Sequence, residues 1–246
     1  MLKKGQAICI RSLDYSDTSQ ILTFFSREHG KFDAIAKGSK RAKSAFGGPI
    51  EIFACGEVVF TEAGHGKLSG ISEFANAPRF FSLRRNLESL NAALFGAELM
   101  ELLMQDFDPH EELYDFFLQY LERLTETNDT IGSLALLIGF QVEVLKQVGH
   151  GPVLEQCVNC KTKITARWPV VYFSNSGPGV ICRDCEMAFA DKMNIDREAA
   201  MALAGQKSLA QLPLDVLQQV ERILIGYLTD LLNKPPKMAR VFLPKS

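Results

Sequence analysis

Four cysteines fall into two pairs with the spacing of metal ligands. Cys157-Val-Asn-Cys160 and Cys182-Arg-Asp-Cys185 are separated by 21 residues, close to the C-x₂-C-x₁₅₋₂₀-C-x₂-C pattern of zinc sites. Two residues between paired cysteines let the chain form a knuckle that directs both sulfur atoms at one point, and a second knuckle completes a tetrahedron. We therefore predict one zinc ion bound by Cys157, Cys160, Cys182 and Cys185.

A redox dithiol, an iron–sulfur cluster and a chance arrangement are the alternatives for these cysteines. A redox C-x-x-C motif usually occurs once, next to a βαβ pattern that this sequence lacks. The duplicated spacing favours zinc, and four protein ligands leave no coordination position for water or substrate, which predicts a structural site. Cys9 and Cys55 lie in apolar segments and are expected to be buried in the core.

The segment between the two cysteine pairs predicts a hairpin that brings them together. Residues 168–174 are rich in β-branched and aromatic side chains, and Gly177-Pro178-Gly179 is typical of a turn. The sequence Gly149-His150-Gly151-Pro152 ends the preceding helical pattern. The knuckles are therefore predicted to form an insertion, residues 153–188, in a helical domain.

The N-terminal third of the chain has the pattern of a small barrel. Five short strand-like segments bounded by turn signals are residues 6–13, 20–26, 31–36, 50–60 and 67–74. Five strands with one longer connection between the third and the fourth are typical of the OB-fold.

From Leu83 onward the apolar residues follow a helical period. Helices are predicted at residues 90–107, 111–127 and 131–148, and another opens at Pro213 and ends at Lys234-Pro235-Pro236. The predicted class is α+β, with an N-terminal OB-fold β-barrel domain at residues 1–80. An α-helical domain at residues 81–246 follows and carries the inserted zinc-binding hairpin with its four cysteines.

Charge is divided unevenly along the chain. The formal net charge is −2, but residues 1–85 carry +5, residues 86–156 carry −11 and residues 157–246 carry +4. The densest basic cluster occupies the long connection of the predicted barrel, residues 37–48. Its cations are Lys37, Lys40, Arg41 and Lys43.

A flexible basic loop with small residues can follow a phosphate backbone, because each contact releases counterions. Phe46 stands among glycines in this loop and is predicted to offer a stacking face for bases. Phe24 and Phe32 lie in apolar strands and are predicted to be core residues. The alternative is an ordinary solvated loop whose phenylalanines all belong to the barrel core.

Several stretches of the chain resemble the bacterial recombination mediator family RecO. The resemblance extends from about residue 5 to about residue 230 and is strongest at the second and third strands and at the cysteines. The matching stretches are Asp14-Tyr15-Ser16-Asp17, residues 22–31 (LTFFSREHGK), residues 34–40 (AIAKGSK), residues 98–103 (ELMELL), residues 112–117 (ELYDFF) and the approach Gly149-His150-Gly151-Pro152 to Cys157.

This resemblance implies binding to single- and double-stranded DNA, annealing of complementary strands and help in loading RecA onto DNA coated by single-strand-binding protein. It also implies the partners RecR, sometimes RecF, and the acidic tail of single-strand-binding protein. The implied DNA-contacting residues are Lys31, Lys37, Lys40, Arg41, Lys43 and Arg27.

Signatures of catalysis are absent from the sequence. It contains no P-loop, dinucleotide fingerprint or nucleophile elbow. The zinc-deaminase signature, an H-x-E near a P-C-x-x-C, is not completed after His110-Glu111-Glu112, because Gln156 precedes Cys157 where that signature has proline. We therefore expect neither an enzyme nor a small-molecule substrate. The longest apolar run, residues 131–140, is shorter than the ~20 residues that span a bilayer, so we expect a cytoplasmic, nucleoid-associated protein. The alternative function is a zinc-ribbon interaction scaffold or transcription regulator without annealing activity.

Overall fold

The computed structural model describes residues 1–41, 43–63, 66–77 and 79–243, which form two compact units. The barrel unit comprises residues 1–83 and 97–122. The helical unit comprises residues 84–96 and the chain from residue 123 onward. The predicted α+β class is confirmed, whereas the boundary between domains at residues 80 and 81 stays a prediction.

Five strands close into a barrel within the barrel unit. They are β1 (Leu2–Asp14), β2 (Gln20–Ser26), β3 (Gly30–Ala36), β4 (Cys55–Thr61) and β5 (Ser69–Ala77), in the order β1-β2-β3-β5-β4. The antiparallel neighbours are β1 with β2, β2 with β3, β1 with β4 and β4 with β5. Strands β3 and β5 run parallel, pairing Ala34 with Ser69 and Ile35 with Gly70. The predicted OB-type barrel is confirmed.

Aromatic side chains fill the barrel. The rings of Phe32 and Phe60 stack with centroids 4.2 Å apart, and Phe24 lies 5.7 Å from Phe32 and 5.3 Å from Phe74. All four side chains are buried, as is Cys9. The predictions that Phe24, Phe32 and Cys9 belong to the core are confirmed.

The fourth strand begins at Cys55 instead of Ile50. Phe53 adopts a left-handed φ of 67°, and the residues before Cys55 form a turn. The Phe53 amide nevertheless donates to the Cys9 carbonyl at 2.8 Å, and the Cys9 amide donates to the Ala54 carbonyl at 2.9 Å. These hydrogen bonds keep the turn beside β1, so its residues are apolar like those of the strand. The sequence pattern therefore predicts a strand that starts too early. Cys55 is buried, as predicted.

The first helix, α1 (Leu87–Leu103), ends before the predicted position at Phe107. Phe107 has a left-handed φ of 58°, and its amide donates to the carbonyl of Lys31 in β3 at 2.8 Å. Its ring lies parallel to that of Phe32, with centroids 6.1 Å apart. Phe107 fits the apolar period of the helix in sequence, but its side chain packs against the barrel. The predicted helix is therefore too long at this end.

The remaining helices are α2 (Glu111–Glu126), α3 (Thr130–Gln147), α4 (Arg197–Leu203), α5 (Leu214–Leu232) and α6 (Ala239–Phe242). Asp129 caps α3 by accepting a hydrogen bond from the Gly132 amide at 2.7 Å. Helix α5 ends at Asn233 in a left-handed conformation, just before Pro235. Within the described part of the chain, no helix combines the length and apolar character needed to cross a membrane.

Helices α3 and α5 enclose a buried carboxyl–amide pair. Gln141 Nε2 donates to Glu221 Oε1 at 2.8 Å, while Glu221 Oε2 has no hydrogen-bond partner among the described residues. The Glu221 side chain is buried, and this burial raises its pKa to about 8 even though the bond from Gln141 acts in the opposite direction. The carboxyl group is therefore protonated at neutral pH.

Replacing Glu221 with Gln should raise stability at alkaline pH. The folded pKa lies above the unfolded value of about 4.3, so the contribution of the protonated carboxyl is fully present below that pH and is lost as the pH rises through about 8. In urea unfolding, Glu221→Gln should resemble the wild type at pH 5 and exceed it by a few kcal/mol at pH 9. Glu126→Gln, at an exposed position, is the control. An equal gain at both pH values would contradict this assignment.

Candidate metal centre and nucleic-acid surface

A small sheet in the helical unit positions the cysteines. Its strands are β6 (Val171–Ser174), β7 (Gly179–Cys182) and β8 (Met193–Ile195), in the order β7-β6-β8. The antiparallel pairing of β6 with β7 confirms the predicted hairpin. Strand β8 was not predicted, because three residues are too few to show a strand period.

The hairpin turn is fixed to the segment that leads into the first knuckle. The Val153 amide donates to the Pro178 carbonyl at 2.8 Å, and the Val180 amide donates to the Val153 carbonyl at 2.9 Å. Gly179 has a φ of 149°, and a Cβ atom there would lie 2.2 Å from the Val153 carbonyl oxygen. Glycine is required at this position because the two backbones touch. The contact places the first cysteine pair beside β7.

Each cysteine pair occupies a turn that directs both thiols the same way. In the first knuckle the Lys161 amide donates to the Cys157 carbonyl at 3.0 Å, and the Cys157 amide donates to the Thr162 carbonyl at 2.9 Å. Lys161 takes a left-handed φ of 62° to close this turn. In the second knuckle Cys182 ends β7, and Cys185 lies in the 3₁₀ turn that follows.

The four sulfur atoms converge on one point. All lie within 4.8 Å of one another, and the Sγ atoms of Cys160 and Cys182 are 3.7 Å apart. A tetrahedron with metal–sulfur distances of about 2.3 Å has an edge of about 3.8 Å. The cluster ranges from the buried Cys157 to the exposed Cys160. The arrangement predicted from the spacing is confirmed as a group of thiols close enough to hold a metal ion.

The pKa values of two of the thiols are shifted in opposite directions. The Thr162 side chain, with Oγ1 3.3 Å from Cys160 Sγ, and then the Thr162 amide lower the pKa of Cys160 to about 6. Partial burial raises the pKa of Cys182 to about 12. The Asn159 amide group donates to Cys185 Sγ at 3.3 Å. The Cys160 thiolate is thus readily available, whereas ionisation of Cys182 is favoured by a cation close to its sulfur atom.

The basic loop predicted to contact DNA is exposed in the barrel unit. Lys37, Arg41 and Lys43 are exposed, and no other described residue forms an ion pair with them. Lys40 differs, because its Nζ lies 2.7 Å from Asp14 Oδ2. Three cations of the loop are therefore available to an anionic partner, and the fourth ties the loop to the end of β1.

A buried amide holds this loop against the barrel. Gln20 Oε1 accepts hydrogen bonds from Ser39 Oγ and from the Ile50 amide, both at 2.9 Å. Gln20 Nε2 donates to Ser12 Oγ and to the Ile50 carbonyl, both at 3.1 Å. This role was not predicted from the sequence, where a glutamine opening an apolar strand was the available signal.

The prediction that Phe46 offers a stacking face to bases is wrong. Its side chain is 8% exposed and packs in the barrel core with Leu22, Phe24 and Ile50. The chain turns inward here, since the Phe46 amide donates to Ser44 Oγ at 3.1 Å. The free energy gained by burying a phenyl ring in an apolar interior favours this position, although the neighbouring glycines suggest an exposed loop.

Arg27 and Lys31 are engaged by acidic groups of the same unit. The Arg27 guanidinium donates to both carboxylate oxygens of Asp115 at 3.1 Å and lies 2.8 Å from Glu111 Oε2. Lys31 Nζ donates to the Glu101 carbonyl at 2.8 Å and lies 3.3 Å from Asp106 Oδ1. Their contact with DNA stays a prediction, and a phosphate would compete with these partners.

Comparisons with known proteins agree with this architecture. The family described as "Recombination protein O N terminal" matches residues 1–77, and "Recombination protein O C terminal" matches residues 84–240. The protein named DNA repair protein RecO of Rhodopirellula baltica is 31% identical over 208 residues, covering 84% of this chain and 76% of that protein. Proteins of the same name from Syntrophus aciditrophicus and Bacillus pumilus are each 29% identical, covering 74% and 82% of this chain and 69% and 76% of their own lengths.

A five-stranded OB-type barrel followed by helices with a four-cysteine cluster defines a class of α+β proteins built around a nucleic-acid-binding type of fold. Within that class, the chain belongs to the Recombination protein O (RecO) family. The predicted resemblance is confirmed, and this membership places the chain in DNA recombination and repair.

Asp191 fixes the tip of the β6–β7 hairpin. Its carboxylate accepts hydrogen bonds from the Ser176 amide at 2.8 Å, from Ser176 Oγ at 2.7 Å and from Ser174 Oγ at 2.8 Å. Partial desolvation would raise the pKa of Asp191, but the bonds from Ser176 and then Ser174 prevail and lower it to about 2.

Replacing Asp191 with Asn should destabilise the protein in a pH-dependent way. The folded pKa lies below the unfolded value of about 3.9, so its contribution is present above that pH and is lost as the pH falls through about 2. Asp191→Asn should lower the midpoint of thermal unfolding by a few degrees at pH 7, and the difference should shrink below pH 4. Asp17→Asn, at an exposed position, should have no such effect. A difference that stays constant between pH 7 and pH 3 would argue against an ionised Asp191 at the hairpin.

Proposed function

We propose that this protein is a recombination mediator that binds single- and double-stranded DNA and anneals complementary strands. It also helps to load RecA onto DNA coated by single-strand-binding protein, with RecR, and in some settings RecF, as partners. The observation that carries this proposal is the loop of exposed cations, Lys37, Arg41 and Lys43, held on an OB-type barrel. Family membership supports the wider role.

The physical basis of annealing is charge neutralisation. Two DNA strands repel each other, and a basic surface that holds the phosphates of one strand lowers this repulsion while leaving its bases accessible. Lys40 contributes by anchoring the loop to Asp14, so its role is positional as well as electrostatic. This role requires no covalent bond to be made or broken, and we therefore propose a non-enzymatic protein.

Removing the exposed cations should weaken DNA binding. Lys37→Ala/Arg41→Ala/Lys43→Ala deletes three phosphate contacts, and the slope of log Kd against log salt for single-stranded DNA should become shallower by about 2, at about 0.7 per contact. Fluorescence anisotropy with a labelled oligonucleotide over a range of salt concentrations measures this slope.

A matched variant separates the loop from net charge. Arg167→Ala/Lys234→Ala/Arg240→Ala removes the same charge from exposed positions in the C-terminal part of the chain. It should retain most of the affinity and the wild-type slope. If both triple variants lose the same affinity, the basic loop is not the DNA site.

We propose in addition that Cys157, Cys160, Cys182 and Cys185 bind one structural zinc ion. The convergent thiols fit a tetrahedral ion that prefers sulfur ligands. With four protein ligands the ion has no open position for substrate, and its contribution is to fasten the knuckles to the hairpin.

Loss of one cysteine should therefore affect folding before function. Cys182→Ser should lose its zinc, measured by inductively coupled plasma mass spectrometry, and should unfold at a lower temperature. Cys55→Ala lies outside the cluster and should keep one zinc ion per chain. A Cys182→Ser protein that melts like the wild type but no longer binds DNA would disprove the structural role.

A further inference from the structure

Tyr15 is the exposed aromatic residue of the segment that forms the five barrel strands. Residues 1–77 contain eight Phe, Tyr or Trp residues, all of them within the described part of the chain. The seven phenylalanines are buried, at 8% exposure or less, whereas Tyr15 is 63% exposed. The buried set is Phe24, Phe25, Phe32, Phe46, Phe53, Phe60 and Phe74. Residues 1–77 thus bury seven aromatic rings and leave the ring of Tyr15 accessible to a partner.

The turn that carries Tyr15 is well defined. It joins β1 to β2, and the amides of Tyr15 and Ser16 donate to the Ser19 carbonyl at 3.0 and 3.2 Å. The Thr18 amide donates to Ser16 Oγ at 3.4 Å. Because its backbone is held on both sides, Tyr15 is presented by a closed turn and loses little conformational entropy when it binds a partner.

This turn is bonded directly to the basic loop. The Lys40 amide donates to the Thr18 carbonyl at 3.1 Å, and the Gly38 amide donates to Ser19 Oγ at 3.3 Å. Lys40 Nζ also pairs with Asp14, the residue before Tyr15, at 2.7 Å. These contacts place the aromatic turn beside the segment whose neighbours Lys37 and Arg41 are exposed.

A strand whose phosphates lie on those cations brings its bases close to the aromatic turn. Stacking of a base on an aromatic ring tolerates any sequence but requires an unpaired base, because the faces of paired bases are already covered by their neighbours in a duplex. We propose that Tyr15 is a stacking platform for an unpaired base, and that it gives the basic loop a preference for single-stranded over duplex DNA. This inference rests on the proposed DNA-binding function.

Tyr15→Ala tests the platform. Affinity for single-stranded oligo-dT should fall by about 5- to 100-fold, the range expected for loss of one base–aromatic stack, while affinity for a duplex of the same length should change less than about twofold. Tyr15→Phe keeps the ring and should bind like the wild type. The fluorescence of 2-aminopurine in a single strand should be quenched when the strand binds the wild type or Tyr15→Phe, and should be quenched less by Tyr15→Ala. Thermal melting should be unchanged, because the side chain is exposed.

Three results would overturn this inference while the DNA-binding function stands. Equal losses for single-stranded and duplex DNA would mean that Tyr15 merely shapes the loop. A Tyr15→Phe variant as weak as Tyr15→Ala would assign the effect to the hydroxyl group instead of the ring. An unaltered Tyr15→Ala, tested beside a Lys37→Ala/Arg41→Ala/Lys43→Ala variant that loses binding, would also reject the platform alone. A wild type that binds neither DNA would reject the proposed function itself.

Discussion

The side-chain amide of Gln20 holds the basic loop between β3 and β4 against the closed barrel. It accepts from Ser39 and from the backbone of Ile50 and returns hydrogen bonds to Ile50 and Ser12, so all its polar capacity is used where water is excluded. A buried amide left without partners costs about 1–3 kcal/mol per group, and the loop is therefore held in one arrangement. Lys37, Arg41 and the turn containing Tyr15 all depend on that arrangement, since Ser39 and Lys40 lie between them.

Some basic residues of the barrel unit form ion pairs, whereas three of those in the basic loop are exposed. In the acidic segment after the barrel, carboxylates form ion pairs with basic residues of the same unit: Glu101, Asp106, Glu111 and Asp115 engage Arg11, Arg27 and Lys31. These ion pairs neutralise basic groups that would otherwise extend the positive surface. The loop cations Lys37, Arg41 and Lys43 stay exposed, which reconciles a formal net charge of −2 with a local site for anions.

Features set by local chain geometry could be predicted from the sequence, and features set by distant partners could not. The knuckles, the β6–β7 hairpin, the barrel strands and the four long helices follow from spacing and periodicity, and the structure contains each of them. The burial of Phe46 could not be predicted, because its glycine neighbours do not reveal that the chain turns inward and places its ring in the core with Phe24. The ion pairs of Arg27 could not be predicted, because its acidic partners lie about ninety residues away. Tyr15 and Gln20 acquire their roles through the folded loop.

The parallel pairing of β3 with β5 makes the barrel unequal around its circumference. The parallel pairing consists of Ala34 with Ser69 and Ile35 with Gly70, whereas the antiparallel pairings extend along most of each strand. The buried hydroxyl of Ser69 at this junction has no hydrogen-bond partner among the described residues, and Gly70 adds no side chain there. We therefore expect amide protons at this junction to exchange readily with solvent and the barrel to open here, which would give a sheet whose two new edges are β3 and β5.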